Sequence, residues 1–116
     1  MRFEWDEAKN RQNLVKHRVS FETAVLAFDD PYALTQRDEA NGEEERWITL
    51  GLVGLNAVLF IVHTSRSHLR EQDEADVIRI ISARNATPHE RKRYEEAYQG
   101  AKKRYRRYQG HERRGH

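Results

Sequence analysis

The chain has 116 residues, 21 Lys/Arg against 19 Asp/Glu, a formal charge of +2 and no cysteine. At that length it is expected to form one domain that buries roughly 65% of its unfolded surface, with no disulfide, thiolate chemistry or Cys-based zinc site. The charged opening segment lacks an apolar signal core, and the longest apolar run, Ala57 to Val62, falls far short of the roughly 20 residues that span a bilayer. A soluble, cytoplasmic protein with no membrane partner is therefore expected.

Phe3-Glu4-Trp5 alternates and reads as a brief first strand or an extended lead-in. Asp6 can cap a helix from Glu7 to His17, with Ala8, Leu14 and Val15 as its thin apolar side. His17 and Asn13 on that helix read as capping or packing groups. Ser20 caps a second helix through Phe21, Ala24, Val25 and Phe28, which Asp29-Asp30-Pro31 stops. Ala33 to Arg37 reads as a strand, and the acidic stretch 38–45 as a loop with a turn signal at Asn41-Gly42. Trp47 to Gly51 and Asn56 to Thr64 make a hairpin around Val53-Gly54-Leu55; a polar loop, 67–75, then leads to a strand from Val77 to Ala83.

Thr87-Pro88-His89-Glu90 has capping-box spacing with Pro at the first helical position. The helix it opens carries Tyr94, Tyr98, Ala101, Tyr105 and Tyr108 at spacings of three and four, a seam that reads as a packing face rather than an RNA stacking platform. Gly100 weakens that helix by about 1 kcal/mol relative to Ala. Two helices, three or four antiparallel strands and a final helix make an α+β domain, whose helices have one side of a small sheet to cover.

Charge is unevenly spread. Residues 1–98 hold 14 Lys/Arg against 18 Asp/Glu, a balance of −4, whereas 99–116 hold 7 against 1, a balance of +6. Local groups, not the global field, must then attract a polyanion. Arg79 interrupts the aliphatic run Val77-Ile78-Arg79-Ile80-Ile81, Arg84 closes it, and His63 with Arg66 closes the other. A guanidinium in such a run needs a partner, either an acid across the sheet such as Glu4 or Asp6, or an anionic ligand. A phosphodiester suits its planar fork of donors.

RNA is cut without a metal when its own 2′-hydroxyl attacks the neighbouring phosphate, provided a base takes the proton and donors stabilise the developing charge. His63 is the candidate base or acid near neutral pH. Arg66, Arg79 and Arg84 are the candidate phosphate clamp, and Tyr94 a candidate proton donor. Arg84 has the alternative of pairing with the acidic loop at Glu43 to Glu45. Two bare E-x-K triplets, at Glu7 and Glu90, fall on helix starts without a strand carboxylate and count as chance. There is no P-loop, dinucleotide fingerprint or HExxH motif, so no cofactor or metal is expected.

These residues, taken together, resemble a known family. Phe3-Glu4-Trp5-Asp6 with Lys9, Asn13-Leu14-Val15-Lys16-His17, Val19-Ser20-Phe21-Glu22, Phe28-Asp29-Asp30-Pro31, Glu45-Arg46-Trp47, Val62-His63-Thr64 with Arg66, and Ile78 to Arg84 look like the BrnT toxins. The Glu90 to Glu95 segment does too, so that the likeness covers residues 3–96. It implies a RelE-like ribonuclease domain over residues 1–98, with about four strands, two N-terminal helices and one C-terminal helix. It also implies a type II toxin that cuts RNA to inhibit translation, is neutralised by a BrnA-type antitoxin, and meets DNA only through that antitoxin. Arg79 and Arg84 stand in the matched strand motif, and Arg46 in its own motif is assigned to RNA contact. The family usually has Gly after the Lys-His pair, where Arg18 stands here. The basic extension 99–116, a helical continuation or a disordered tail, lies outside the likeness; its Lys102, Lys103, Arg104, Arg106 and Arg107 add candidate RNA contacts. The competing reading is a non-catalytic partner-binding or co-repressor domain of a toxin-antitoxin complex.

Overall fold

The computed structural model describes residues 1–39, 45–66 and 76–114, with side chains for all of these but 66, 105 and 107–114. The turn at Asn41-Gly42 and the loop 67–75 lie outside the described residues. Elements follow in the order β1 (Arg2–Glu4), α1 (Glu7–His17), α2 (Phe21–Val25), a 3₁₀ turn (Leu26–Asp29), β2 (Leu34–Arg37), β3 (Trp47–Val53), β4 (Ala57–Arg66), β5 (Val77–Asn85) and α3 (Pro88–Arg114). The five strands form one sheet in the order β1-β5-β4-β3-β2. All neighbours are antiparallel except β1 and β5, which pair in parallel through Phe3 opposite Ile78 and Glu4 opposite Arg79. The lead-in is thus a fifth strand.

Local chemistry sets the boundaries. The Asp6 carboxylate accepts from the Ala8 and Lys9 amides at the start of α1, and the Ser20 hydroxyl accepts from Thr23 N–H at the start of α2. At α3 the capping box closes in both directions, Thr87 N–H to Glu90 Oε1 at 2.8 Å and Glu90 N–H to Thr87 Oγ1 at 3.2 Å. Arg18 ends α1 in the left-handed region, φ 59° and ψ 27°, its amide donating to Leu14 O.

The face of α1 that packs is polar, contrary to expectation. Leu14 is 49% and Val15 84% exposed, while Asn10 and Asn13 are buried. The reason is a hydrogen-bond deficit at the sheet edge. β1 stops opposite Arg79, leaving the rest of that edge of β5 without a strand among the described residues, and the Asn13 side chain takes its place: it donates to Ala83 O at 2.7 Å and accepts from Ala83 N–H at 3.2 Å. Asn10 Oδ1 accepts from Phe21 N–H, tying α2 to α1. An apolar residue at either position would leave buried backbone groups unpaired.

On that first face Phe21, Ala24 and Ala27 pack over Leu59, Ile61, Ile80 and Ala83. The helices do not all share it. α3 lies on the opposite face, where Tyr94 and Tyr98 pack against Leu50, Val58, Leu52 and Phe60. The Tyr seam is therefore a packing face as far as Tyr98, and α3 covers the hairpin end of the sheet. Arg91 secures it by donating to Asn56 O at 2.7 Å. Among the described residues nothing else covers the second face, and the chain beyond Gln99 continues as helix to Arg114.

Candidate active site

The uncovered part of the second face holds the candidate site, and a β-bulge creates it. Arg79 and Arg84 are five residues apart, an odd spacing that places them on opposite faces of a regular strand. Here the β4–β5 register shifts at Val62/His63: Val62 pairs with Ser82 but His63 with Ile80, so Ile81 is the extra residue. That one insertion puts Arg84 opposite Phe60 and Arg79 opposite Thr64, both on the α3 side.

Around Arg79 an open cleft of about 670 Å³ is lined by Glu4, Lys9, Glu45, Arg46, Thr64, Ser65 and Ile81. Side chains come from β1, α1, the lead into β3, β4 and β5. The Arg79 side chain is 45% exposed and its Nη1 stands 3.9 Å from Glu4 Oε1, the acid expected as its partner across the sheet. A contact of that length at the surface is a weak ion pair that leaves donors for a ligand. The cleft therefore combines an anion-binding fork, a second guanidinium, an ammonium, two hydroxyls and two carboxylates.

Arg84 stands apart from this group, roughly 13 Å along the sheet as four residues of β4 measure it. Three of its five N–H donors are committed. Nη1 and Nη2 bind the Glu90 carboxylate at 2.8 and 3.0 Å, Nη1 also reaches Asn85 O at 3.2 Å, and the guanidinium lies 3.9 Å from the Phe60 ring centroid. The hydrogen bond with Glu90 raises the Arg84 pKa and lowers that of Glu90. The acid that Arg84 takes is thus on α3; Glu43 and Glu44 of the acidic loop lie outside the described residues.

Two expected site residues are placed elsewhere. His63 alternates onto the first face and is 3% exposed, its ring edge-on to Phe28 at 5.1 Å. Its Nε2 is 2.7 Å from Thr49 Oγ1, which is 2.8 Å from Thr35 Oγ1, while Nδ1 meets no hydrogen-bond geometry with a partner among the described residues. Burial lowers its pKa. The sheet separates it from Arg79, so the expected base faces the core, not the cleft. Tyr94 is 4% exposed beneath α3 and donates its hydroxyl to Asp30 Oδ2 at 2.5 Å. Burial raises its pKa, and the same Asp30 oxygen accepts from Leu52 N–H, so Tyr94 bolts α3 to the edge of β3. Of the remainder, Arg66 lies opposite Val77 with its side chain outside the described residues. Lys102, 5.4 Å from the Tyr98 ring, and Lys103, Arg104 and Arg106 lie along α3 beyond the docked half; the Arg107 side chain is outside the described residues.

Sequence reasoning did not place Lys9 or Thr64 in the site. Both occur in motifs singled out above, but only the register reveals that Thr64 faces Arg79 and that Lys9 reaches the same cleft past the end of β1.

Comparison with known proteins speaks to family and fold. The family model for the ribonuclease toxin BrnT of type II toxin-antitoxin systems matches residues 5–90. Among solved structures, the crystal structure of the Brucella abortus ribonuclease toxin BrnT superposes with a TM-score of 0.52 at 19% identity. The likeness covers 75% of this chain and 97% of that one, and at such identity it speaks to the fold. No curated protein sequence matches the chain.

Proposed function

The chain belongs to the BrnT family of type II ribonuclease toxins, and from that premise we propose that it cleaves RNA without a metal, through attack of the 2′-hydroxyl on the adjacent phosphate. The supporting observation is the bulge that turns Arg79 onto the open face, beside Thr64, Arg46 and Lys9. Arg79 and Arg46 bind the non-bridging phosphate oxygens and stabilise the charge that grows on them in the phosphorane. Glu4, next to Arg79, takes the 2′-hydroxyl proton. The Lys9 ammonium protonates the departing 5′-oxygen, leaving a 2′,3′-cyclic phosphate and a free 5′-hydroxyl. A BrnA-type antitoxin neutralises the activity, and the cytoplasm supplies both RNA and antitoxin.

Purified protein incubated with RNA in the presence of EDTA tests this directly. Cleavage that survives EDTA and leaves cyclic phosphate ends is expected. Arg79→Ala should lower the rate by about 10²- to 10³-fold with an unchanged melting temperature, because a half-exposed side chain with one long contact contributes little to folding. Intact RNA at every concentration, together with normal growth on expression, would overturn the proposal in favour of the non-catalytic partner domain.

A further inference from the structure

We propose that Arg84 and Phe60 form a stacking subsite for a nucleobase of the RNA, two or so nucleotides from the phosphate held at Arg79; this rests on the RNA-cleaving reading above. A guanidinium can hold a phosphate only with donors to spare. Arg84 spends three hydrogen bonds on Glu90 and Asn85 O, and the Glu90 carboxylate neutralises its charge. Two edge N–H groups remain, but on an ion pair that is already neutralised they hold a phosphate weakly, and the flat face is what a base can use. The two bonds to Glu90 fix the plane, Phe60 supports it from beneath at 3.9 Å, and 33% of the side chain stays exposed. Planar guanidinium groups held in this way stack on bases, and base stacking tolerates any sequence because every base has a π-face.

Position fits the same use. Phe60 and Thr64 lie on one face of β4, so the Arg84 platform and the Arg79 cleft occupy one continuous surface, with Val62 and Ser82 paired between them. Roughly 13 Å separates them, a span that a single strand bridges with its backbone at Arg79 and an unstacked base on Arg84. The subsite holds the strand in register without contributing to the chemical step.

A 2′-O-methyl oligonucleotide, which lacks the attacking hydroxyl, carries 2-aminopurine at each position in turn, and fluorescence reports where a base stacks. Wild-type protein should quench one position selectively. The double substitution R84M/E90Q removes the platform without leaving an unpaired charge, and Gln still serves the capping box. It should abolish that quenching and weaken binding by about 5- to 100-fold, with the slope of log affinity against log salt unchanged. Phe60→Leu, which retains apolar packing, should show the same pattern should the double variant fold poorly. A slope shallower by roughly 0.7 would mean that Arg84 binds a phosphate, and undiminished quenching in both variants would mean that the base stacks elsewhere; either overturns the subsite. Binding and cleavage of unmodified RNA without selective quenching would overturn the subsite alone, whereas no cleavage by the wild type would remove the reading on which it stands.

Discussion

At the scale of single residues, strand-end basic groups with the same sequence signature have separate uses. His63, Arg79 and Arg84 each sit on or beside an aliphatic run, yet one packs in the core, one faces an open cleft and one is tied to α3. His63 carries a pH prediction. Burial depresses its pKa, so the folded protein binds fewer protons there than the unfolded chain. Stability is therefore complete above the ordinary histidine pKa of about 6.5 and is lost as pH falls from there toward the lower folded value. Melting temperature should fall as the pH drops below about 6.5 in the wild type and vary less in His63→Gln. The pH–rate profile for RNA cleavage should be the same in both; a profile that shifts with His63→Gln would return this residue to the mechanism.

At the scale of elements, two backbone positions decide how the first layer meets the sheet. Arg18 holds a left-handed conformation that only glycine adopts without steric cost. Arg18→Gly should raise unfolding free energy by about 1 kcal/mol in denaturant titration, and a neutral or negative result would show that its side chain offsets the strain. Gly51 lies beneath the 3₁₀ turn, where an added Cβ would meet Ala27 O at 2.5 Å and Ala27 Cβ at 2.9 Å. Both obstacles belong to the main chain or its immediate methyl, so neither can swing away. Gly51→Ala should cost about 1–3 kcal/mol, measured by the same titration; wild-type stability would show that the turn moves freely on the sheet.

For the whole molecule, α3 joins two functions of one helix: its first half seals the sheet through Tyr94 and Tyr98, and its second half carries the positive charge. A chain ending at Gln99 retains both tyrosines, the capping box and the Arg91 anchor. It should melt as the full-length protein does and cleave equally well at saturating RNA. Its affinity for RNA at low salt should drop, with a slope against log salt shallower by roughly 0.7 for each phosphate released. A truncated protein that melts early, with an unchanged slope, would assign the second half of α3 to packing.

Helix starts and the hairpin were legible in the sequence because each depends on neighbours along the chain: Asp6, Ser20 and Thr87 satisfy amides two or three residues away, and Gly54, at φ 64°, supplies the left-handed turn. Matched motifs named the family for a similar reason, since their order survives without coordinates. The division of the basic residues was not legible. It follows from the extra residue at Ile81, a bulge that no local propensity announces and that changes which face each later side chain meets. Nor did the pattern reveal that α1 docks through Asn10 or what Asn13 packs against, because an asparagine names no partner until a missing strand leaves Ala83 in need of one. Elements came from interactions a few residues long; the site came from register between strands far apart in the chain, which only the folded sheet decides.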